Sequence, residues 1–277
     1  MRLGGMVFGD VSTPLKWVHA VKDMGYRAAY CPVDAKTDIK TIAAYKAAAE
    51  ESDIIIAEVG AWKNTLSPDA KIRNEAIEYA KTQLELADRI GAVCCVNIAG
   101  GCGDQWDGPH PDNLTTATFH RIATMVQDIV DSVEPEKAVY TLEPMPWVFP
   151  HTPDAYLDLI KAINRKSFAV HLDPVNMINS PVVYLQNAHF LNECFDKLES
   201  NIVSVHVKDI LLSGKLTTHL DETRPGLGGL SYKTFITRMN LLHADLPFML
   251  EHMSEESDYR IASEFLRGVA KGLDIVI

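Results

Sequence analysis

The chain has 277 residues, with 37 acidic residues against 26 basic ones and a formal net charge of −11 at pH 7. This charge repels nucleic-acid phosphates and anionic membrane surfaces, so we expect no nucleic-acid or membrane partner. The opening residues MRLGGMVFGD lack the pattern of a secretory signal, and no apolar stretch approaches the ~20 residues of a membrane helix. We therefore expect a cytoplasmic protein with a neutral or metal-assisted substrate.

Short runs rich in Val, Ile and Ala alternate with longer segments whose apolar residues recur at helical spacing. This alternation is typical of repeated βα units. Eight strands are predicted, at 3–8, 28–32, 54–59, 92–99, 138–143, 168–173, 202–209 and 247–253. No linker divides the chain, so residues 1–277 are expected to form one α/β domain, a single (β/α)8 TIM barrel, with an open doubly wound sheet as the alternative.

The segments between the strands carry the start and stop patterns of helices. In the segment before Gly91, one apolar stripe at helical spacing consists of Ile77, Ala80, Leu84 and Ala87. Gly91 is placed to end that helix. Two further helices are predicted to begin at capping hydroxyls, one at Thr115 or Thr116 and one at Thr152, just before Pro153.

Each of the last four predicted strands ends with a potential ligand for a hard metal ion. These residues are Glu143, Asp173, His206 and Glu251. In a barrel of parallel strands the C-terminal ends meet at one face, where active sites are built. Strand alternation places the four side chains toward the lumen, on the same face as Lys208, whereas the valines that flank His206 face the helices.

This set of three carboxylates and one imidazole predicts a divalent-metal site. A single such residue is better explained as a turn, a cap or a core histidine. Four at equivalent positions resist that explanation, because unpaired buried carboxylates are costly. The oxygen-rich set suits Mn²⁺, with Mg²⁺ or Co²⁺ as alternatives, better than a structural zinc. Asp173 is accordingly interpreted as a ligand rather than as the cap of a helix beginning at Pro174.

Five short motifs carry a family resemblance: LEPMPW (142–147), HLDPVN (171–176), HVKD (206–209), PGLGGL (225–230) and LEH (250–252). Through them nearly the whole chain resembles the xylose-isomerase-like TIM-barrel superfamily of sugar phosphate isomerases and epimerases, which includes ketose 3-epimerases, inosose dehydratases and C-glycoside deglycosidases. The resemblance implies that Glu143, Asp173, His206 and Glu251 bind the metal. It also implies that Glu143 and Glu251 are the catalytic acid and base, on opposite faces of the substrate.

The chain departs from the ketohexose 3-epimerases of that family at three positions. Those enzymes carry a Glu, a His and an Arg at set distances after the metal ligands, where this chain has Phe149, Asn176 and Leu212. The departures argue against a simple ketohexose as substrate. They also predict a more apolar pocket, which suits a substrate with a hydrophobic group.

Several further side chains follow the strands and are candidates for contact with substrate: Trp62, Trp106, His110, Trp147, Asn176, Lys208, His219 and Arg224. Trp106 and His110 lie on a long loop, 100–113, which is interpreted equally well as a lid or as a passive crossover. The tryptophans suit stacking on a sugar ring, with core packing as the alternative. Lys208 is a candidate for contact with substrate or for balancing Asp209.

Together these features predict a metal-dependent enzyme that removes a proton next to the carbonyl of a sugar or keto-sugar, as isomerases and epimerases do. A lyase using the same site, such as a C-glycoside deglycosidase or a keto-inositol dehydratase, is the alternative. A non-catalytic sugar-binding protein, a homo-oligomer and a subunit that needs a partner chain also remain open. An endonuclease-IV-like nuclease is disfavoured by the charge, and by Glu58 and Asn97 where additional histidines would be needed.

Overall fold

The computed structural model describes residues 1–277 and contains a closed barrel of eight parallel strands. The strands of the chain are β1 (Arg2–Gly5), β2 (Ala28–Tyr30), β3 (Ile55–Gly60), β4 (Cys94–Asn97), β5 (Val139–Leu142), β6 (Phe168–Leu172), β7 (Ile202–Val207), β8 (Asp209–Ser213), β9 (His219–Thr223) and β10 (Pro247–Leu250). Around the barrel their order is β1, β10, β7, β6, β5, β4, β3 and β2, while β8 and β9 form a separate antiparallel pair. The predicted (β/α)8 barrel is confirmed, and the open sheet is excluded.

Helices alternate with the barrel strands and cover their outer face. They are α1 (Pro14–Asp23), α2 (Ile39–Glu51), α3 (Ala70–Ile90), α4 (Thr116–Val133), α5 (Pro153–Ile163), α6 (Pro174–Met177), α7 (Pro181–Leu185), α8 (Asn187–Leu198), α9 (Tyr232–Met239) and α10 (Glu256–Lys271). Short 3₁₀ turns lie at Pro111–Leu114 and Glu199–Asn201. No helix has the length and apolar character needed to span a membrane.

The helix boundaries follow the patterns in the sequence. Gly91 ends α3 with a left-handed φ of 78°, and its N–H donates to the Ala87 carbonyl. Thr115 caps α4 and Thr152 caps α5 through their hydroxyl oxygens. Each hydroxyl satisfies a backbone N–H that would otherwise lack a partner in the first helical turn. The predicted starts and stop are confirmed.

Seven of the eight barrel strands end earlier than predicted, whereas β3 ends one residue later, at Gly60. Glu143, Asp173 and Glu251 each follow the last residue of their strand, whereas His206 lies within β7. The predicted strand at 202–209 divides into β7 and β8 around Lys208. Backbone pairing ends at the rim of the barrel, so the side chains just beyond it face the lumen opening without belonging to the ladder.

The β8–β9 hairpin, which the sequence did not indicate, follows β7 immediately and returns to the barrel through a glycine turn. The Asp209 carboxylate holds this return, because it accepts the backbone N–H groups of Gly226, Gly228 and Leu230 at 3.0, 3.1 and 2.9 Å. A Cβ on Gly228 would lie 2.3 Å from Asp209 Oδ1, so the close approach requires glycine there. Asp209 therefore serves the backbone of the turn.

A buried tyrosine links the two strands that carry the first two candidate ligands. Tyr156 on α5 donates its hydroxyl to the Leu142 carbonyl at 2.6 Å and accepts the His171 N–H at 3.2 Å. Leu142 is the residue before Glu143, and His171 is two residues before Asp173. The phenol thus joins the ends of β5 and β6 and fixes their separation.

Removing this hydroxyl is expected to destabilise the fold. Tyr156→Phe leaves a buried carbonyl and a buried N–H short of a partner, which should lower the free energy of unfolding by about 1–3 kcal/mol. Urea unfolding followed by circular dichroism measures this change. Tyr79→Phe is the matched control, because Tyr79 is partly exposed and its hydroxyl makes no hydrogen bond. Equal losses in the two variants would contradict the assignment.

Candidate metal centre

Four side chains from adjacent barrel strands converge in one buried cluster. Glu143, Asp173, His206 and Glu251 each offer one ligand atom, and these atoms all lie within 4.8 Å of one another. The supporting strands β5, β6, β7 and β10 are consecutive neighbours in the barrel. The structure therefore brings together all four residues that the sequence proposed as metal ligands.

Asp173 combines the two roles that the sequence analysis treated as alternatives. Its Oδ1 accepts the N–H groups of Val175 and Asn176 and so caps the short helix α6. Its Oδ2 faces the cluster and has no hydrogen-bond partner of suitable geometry. The prediction that Asp173 is not a helix cap was wrong, because one carboxylate has two oxygens and capping uses only Oδ1. The role of Asp173 as a metal ligand stays a prediction.

Lys208 lies among the carboxylates and is almost completely buried. Its Nζ is 2.5 Å from Glu251 Oε1 and 2.6 Å from Asp173 Oδ2. Glu143 Oε1 and Glu222 Oε2 lie farther away, at 3.8 and 3.6 Å. Lys208 thus balances the cluster and makes no ion pair with Asp209, whose oxygens bind the turn of the hairpin.

The charged side chains of the cluster shift one another's pKa values. Burial disfavours the charge on Lys208, but Asp173, Glu251 and Glu143 outweigh burial and raise the pKa of Lys208 well above its usual value. Burial also opposes ionisation of Glu251, yet His206 and Lys208 hold the pKa of Glu251 well below the ordinary range. Burial raises the pKa of Asp173 to about 7 against the pull of Lys208. Glu251 is therefore the carboxylate most strongly held in its ionised form.

Four further contacts orient the side chains of the cluster. Asn176 donates its side-chain amide to Glu143 Oε1 at 3.0 Å. His206 places Nδ1 2.8 Å from Glu251 Oε2 and 3.4 Å from Glu143 Oε1, and places Nε2 3.0 Å from Glu58 Oε1. Asn176, one of the predicted substrate contacts, thus lies beside the cluster.

The donor set fits a divalent ion with a preference for oxygen. Two buried atoms that face the cluster, Asp173 Oδ2 and His206 Nδ1, make no hydrogen bond of suitable geometry. Each has an oppositely charged neighbour, Lys208 Nζ at 2.6 Å and Glu251 Oε2 at 2.8 Å, and each carries a lone pair that an ion could accept once it displaced that neighbour or its proton. Three carboxylates with one imidazole match the ligands of Mn²⁺ or Mg²⁺ and contain no thiolate. The residues present therefore fit such an ion, although its identity is not established.

Two cavities open beside the cluster. The first, of about 450 Å³, is lined by His206 and Glu251 together with apolar residues that include Met6, Val33 and Trp62. The second, of about 530 Å³, is lined by Trp147, Asn176 and Glu222 among others. Neither cavity is lined by any lysine or arginine. Trp62 and Trp147 thus line the cavities beside the cluster, and their contact with substrate stays a prediction.

Four predicted substrate contacts lie elsewhere in the structure. His110 caps the 3₁₀ turn by accepting the Asp112 N–H, and Arg224 pairs with Asp258 on α10 at 3.2 Å. His219 is exposed at the far end of the hairpin opposite Ser213, and the partly exposed Trp106 lines neither cavity. Loop position alone did not show where these side chains point.

The expected source of the apolar pocket also needs correction. The Phe149 ring packs against Phe119 of α4, with centroids 5.4 Å apart, and lines neither cavity beside the cluster. Leu212 lies on the hairpin opposite Leu220. Leu220 lines the second cavity, whereas Leu212 does not. The apolar walls come instead from loops after the early strands, where Met6 and Trp62 lie.

Three polar residues near the cluster were not among the predicted site residues. Glu58 on β3 contacts His206, and Glu222 on β9 lies near Lys208. His252 places Nδ1 3.0 Å from Glu222 Oε1 and Nε2 3.5 Å from Glu251 Oε2. Glu58 was detectable as a charged residue inside an apolar strand, whereas Glu222 reaches the site only because an unpredicted hairpin folds back.

The chain matches one known protein family over most of its length. A family model described as xylose isomerase-like TIM barrel matches residues 18–269, so the chain belongs to this family. No curated protein matches it by sequence.

Solved structures share the fold at low sequence identity. A 3-keto-D-glucoside 4-epimerase from E. coli is 17% identical, with a TM-score of 0.68 over 97% of this chain and 99% of that one. Endonuclease IV from Thermus thermophilus is 13% identical, with a TM-score of 0.74 over 98% and 100% of the two chains. A xylose isomerase-like TIM barrel protein from Mycobacterium smegmatis in complex with magnesium is 14% identical, with a TM-score of 0.66 over 95% and 90%. These likenesses establish the fold.

The two roles of Asp173 are separable by mutation. Asp173→Asn keeps a good capping side chain, whereas Asp173→Ala removes it, so the alanine variant should be less stable than the asparagine variant by about 1 kcal/mol. Both variants lose a carboxylate and are expected to bind Mn²⁺ far more weakly than the wild type. Urea unfolding of metal-free protein and titration calorimetry measure the two effects. An asparagine variant with wild-type Mn²⁺ affinity would remove Asp173 from the ligand set.

Proposed function

We propose that the chain is a divalent-metal-dependent enzyme that removes a proton next to the carbonyl of a sugar or keto-sugar, with an isomerase-like or epimerase-like outcome. The observation that carries the proposal is the buried cluster of Glu143, Asp173, His206 and Glu251 beside two cavities. Membership of the xylose isomerase-like family supports enzymatic activity in general.

The cluster supplies the groups that proton transfer at carbon requires. The ion held by these four residues would supply Lewis-acid polarisation of a carbonyl. Glu251, which is ionised beside His206 and Lys208, is one carboxylate able to accept the proton. Glu143, hydrogen-bonded by Asn176, is the second carboxylate able to return a proton. Burial of the cluster excludes water and strengthens these electrostatic interactions.

The cavities indicate a substrate without phosphate groups. Phosphate sites in proteins commonly use arginine or lysine side chains, and neither cavity has a lysine or arginine in its wall. The net charge of −11 adds long-range repulsion of anions. The same two facts disfavour nuclease activity, despite the shared fold with endonuclease IV.

A lyase is the second candidate, and the apolar wall of the first cavity is the observation that favours it. Met6, Val33 and Trp62 form a surface suited to an apolar group joined to the sugar. A C-glycoside deglycosidase or keto-inositol dehydratase begins with the same proton abstraction and then expels a group from the neighbouring carbon. A sugar-binding chain without turnover, or one that needs a partner subunit, is the remaining alternative.

Proton abstraction can be tested directly by exchange with D₂O. Mn²⁺-loaded protein is incubated with a panel of free ketoses, keto-inositols and 3-keto-glycosides, and deuterium next to the carbonyl is measured by proton NMR. Glu251→Gln and Glu143→Gln should slow exchange by about 10²–10⁴-fold, the usual contribution of a general acid or base. Glu78→Gln, an exposed glutamate on α3, is the control.

The products then separate the candidate reactions. An epimer or isomer supports the first candidate, and an eliminated group supports the lyase. Full exchange in either glutamine variant would reject that glutamate as a catalytic group. No exchange with any compound, despite bound metal, would favour a binding role or a missing partner.

Matched pairs of substrates test the absence of a phosphate site. Each free ketose in the panel is compared with its own phosphate ester, and exchange should be faster with the free sugar because no lysine or arginine in the cavity walls is available to the phosphate. DNA containing an abasic site should remain uncleaved under the same conditions. Faster exchange with the phosphorylated member of a pair would contradict the proposal of a substrate without phosphate groups.

A further inference from the structure

Glu58 is a buried carboxylate on β3, on the far side of the barrel from β7. Four steps around the barrel separate β3 from β7, so the two strands face each other across the lumen. Glu58 is only 2% exposed, and its side-chain hydrogen bonds both go to residues of β7. A buried carboxylate needs compensation by a donor or a cation, and here β7 provides it.

The stronger of these contacts is made to His206. The Nε2 atom of His206 lies 3.0 Å from Glu58 Oε1, while Ser204 Oγ lies 3.4 Å from Glu58 Oε2. His206 therefore uses its two ring nitrogens in opposite directions, because Nδ1 faces Glu251 and Glu143. A neutral imidazole has one N–H donor and one lone-pair acceptor. When an ion displaces the proton from Nδ1, the proton that Nε2 donates to Glu58 stays in place and the Nδ1 lone pair is free for the ion.

We propose that Glu58 is a positioning residue, which holds the His206 ring so that Nδ1 is presented to a divalent ion bound by Glu143, Asp173 and Glu251. The inference rests on the metal site of the proposed function and adds a residue that touches none of the reacting atoms. Carboxylates that accept the second N–H of a metal-binding histidine fix the orientation of the ring and raise its basicity.

A second ion is the main competing explanation for Glu58. Glu58, His171 and His206 also offer three ligand atoms within 4.8 Å of one another. An ion there would oblige His206 to bind through both nitrogens at once and to lose both ring protons, which hard oxygen-preferring ions do not favour. The His171 ring also stands edge-on to His206, with centroids 4.0 Å apart. The geometry therefore favours a hydrogen-bonded pair over a second metal site.

The inference is tested by the affinity for Mn²⁺ and by the protonation state of the His206 ring. Neither measurement depends on turnover. The variants are Glu58→Ala, Glu58→Gln and Ser204→Ala. The alanine variant should bind Mn²⁺ about 10–100-fold more weakly in titration calorimetry. The glutamine variant should lose less, because its carbonyl oxygen can still accept the Nε2 proton. Ser204→Ala, which removes a contact to the same carboxylate and spares His206, should bind like the wild type.

A spectroscopic measurement distinguishes positioning from a general structural role. In Mg²⁺-loaded protein labelled with ¹⁵N-histidine, His206 should show a directly protonated Nε2 and an unprotonated Nδ1. The alanine variant should lose this fixed pattern, and the glutamine variant should partly restore it. A variant that is merely less stable would keep the pattern in its folded fraction, which urea unfolding of each metal-free protein quantifies.

The outcomes are distinct. Wild-type Mn²⁺ affinity in both Glu58 variants overturns the inference and leaves the metal site intact. Two ions bound per chain, with one lost in the Glu58 variants, overturns it by making Glu58 a ligand. A wild-type protein that binds neither Mn²⁺ nor Mg²⁺ overturns the metal site of the proposed function, and the positioning role with it.

Discussion

Three carboxylates buried side by side at the rim of the barrel must be compensated by positive charge, and the rest of the site is arranged around this requirement. Glu143, Asp173 and Glu251 are 5%, 0% and 6% exposed. Their mutual repulsion and the loss of hydration would together cost several kcal/mol for each uncompensated group. Lys208 and His206 lie among them, and the cluster is complementary to further cationic charge.

The hairpin that follows β7 holds this compensation in place. Lys208 is the single residue between β7 and β8, and Asp209 immediately begins the structure that binds the glycine turn. The ammonium is therefore held between two rigid elements. The returning strand β9 carries Glu222 to within 3.6 Å of the same ammonium. An insertion outside the barrel thus becomes part of the wall of the site.

The fold by itself does not distinguish among the chemistries found on it. Both an epimerase and an endonuclease share this architecture with the chain, at 17% and 13% identity. The distinction lies in the donors and in their surroundings. The walls of the two cavities contain no lysine or arginine, so they offer no cationic side chain to the phosphates of a polyanion.

The sequence by itself determined the barrel and the convergence of the four candidate ligands, because both follow from local periodicity. Alternation along the strands directs Glu143, Asp173, His206 and Glu251 to the lumen, and the parallel order brings the strand ends together. Which side chains contact each other across the lumen was decided only by the tertiary structure. Glu58 meets His206 over a separation of 148 residues, and the β8–β9 hairpin places Glu222 in the site but leaves Arg224 outside it, paired with Asp258. No local pattern encodes such contacts, since they depend on barrel closure and on the path of a loop through space.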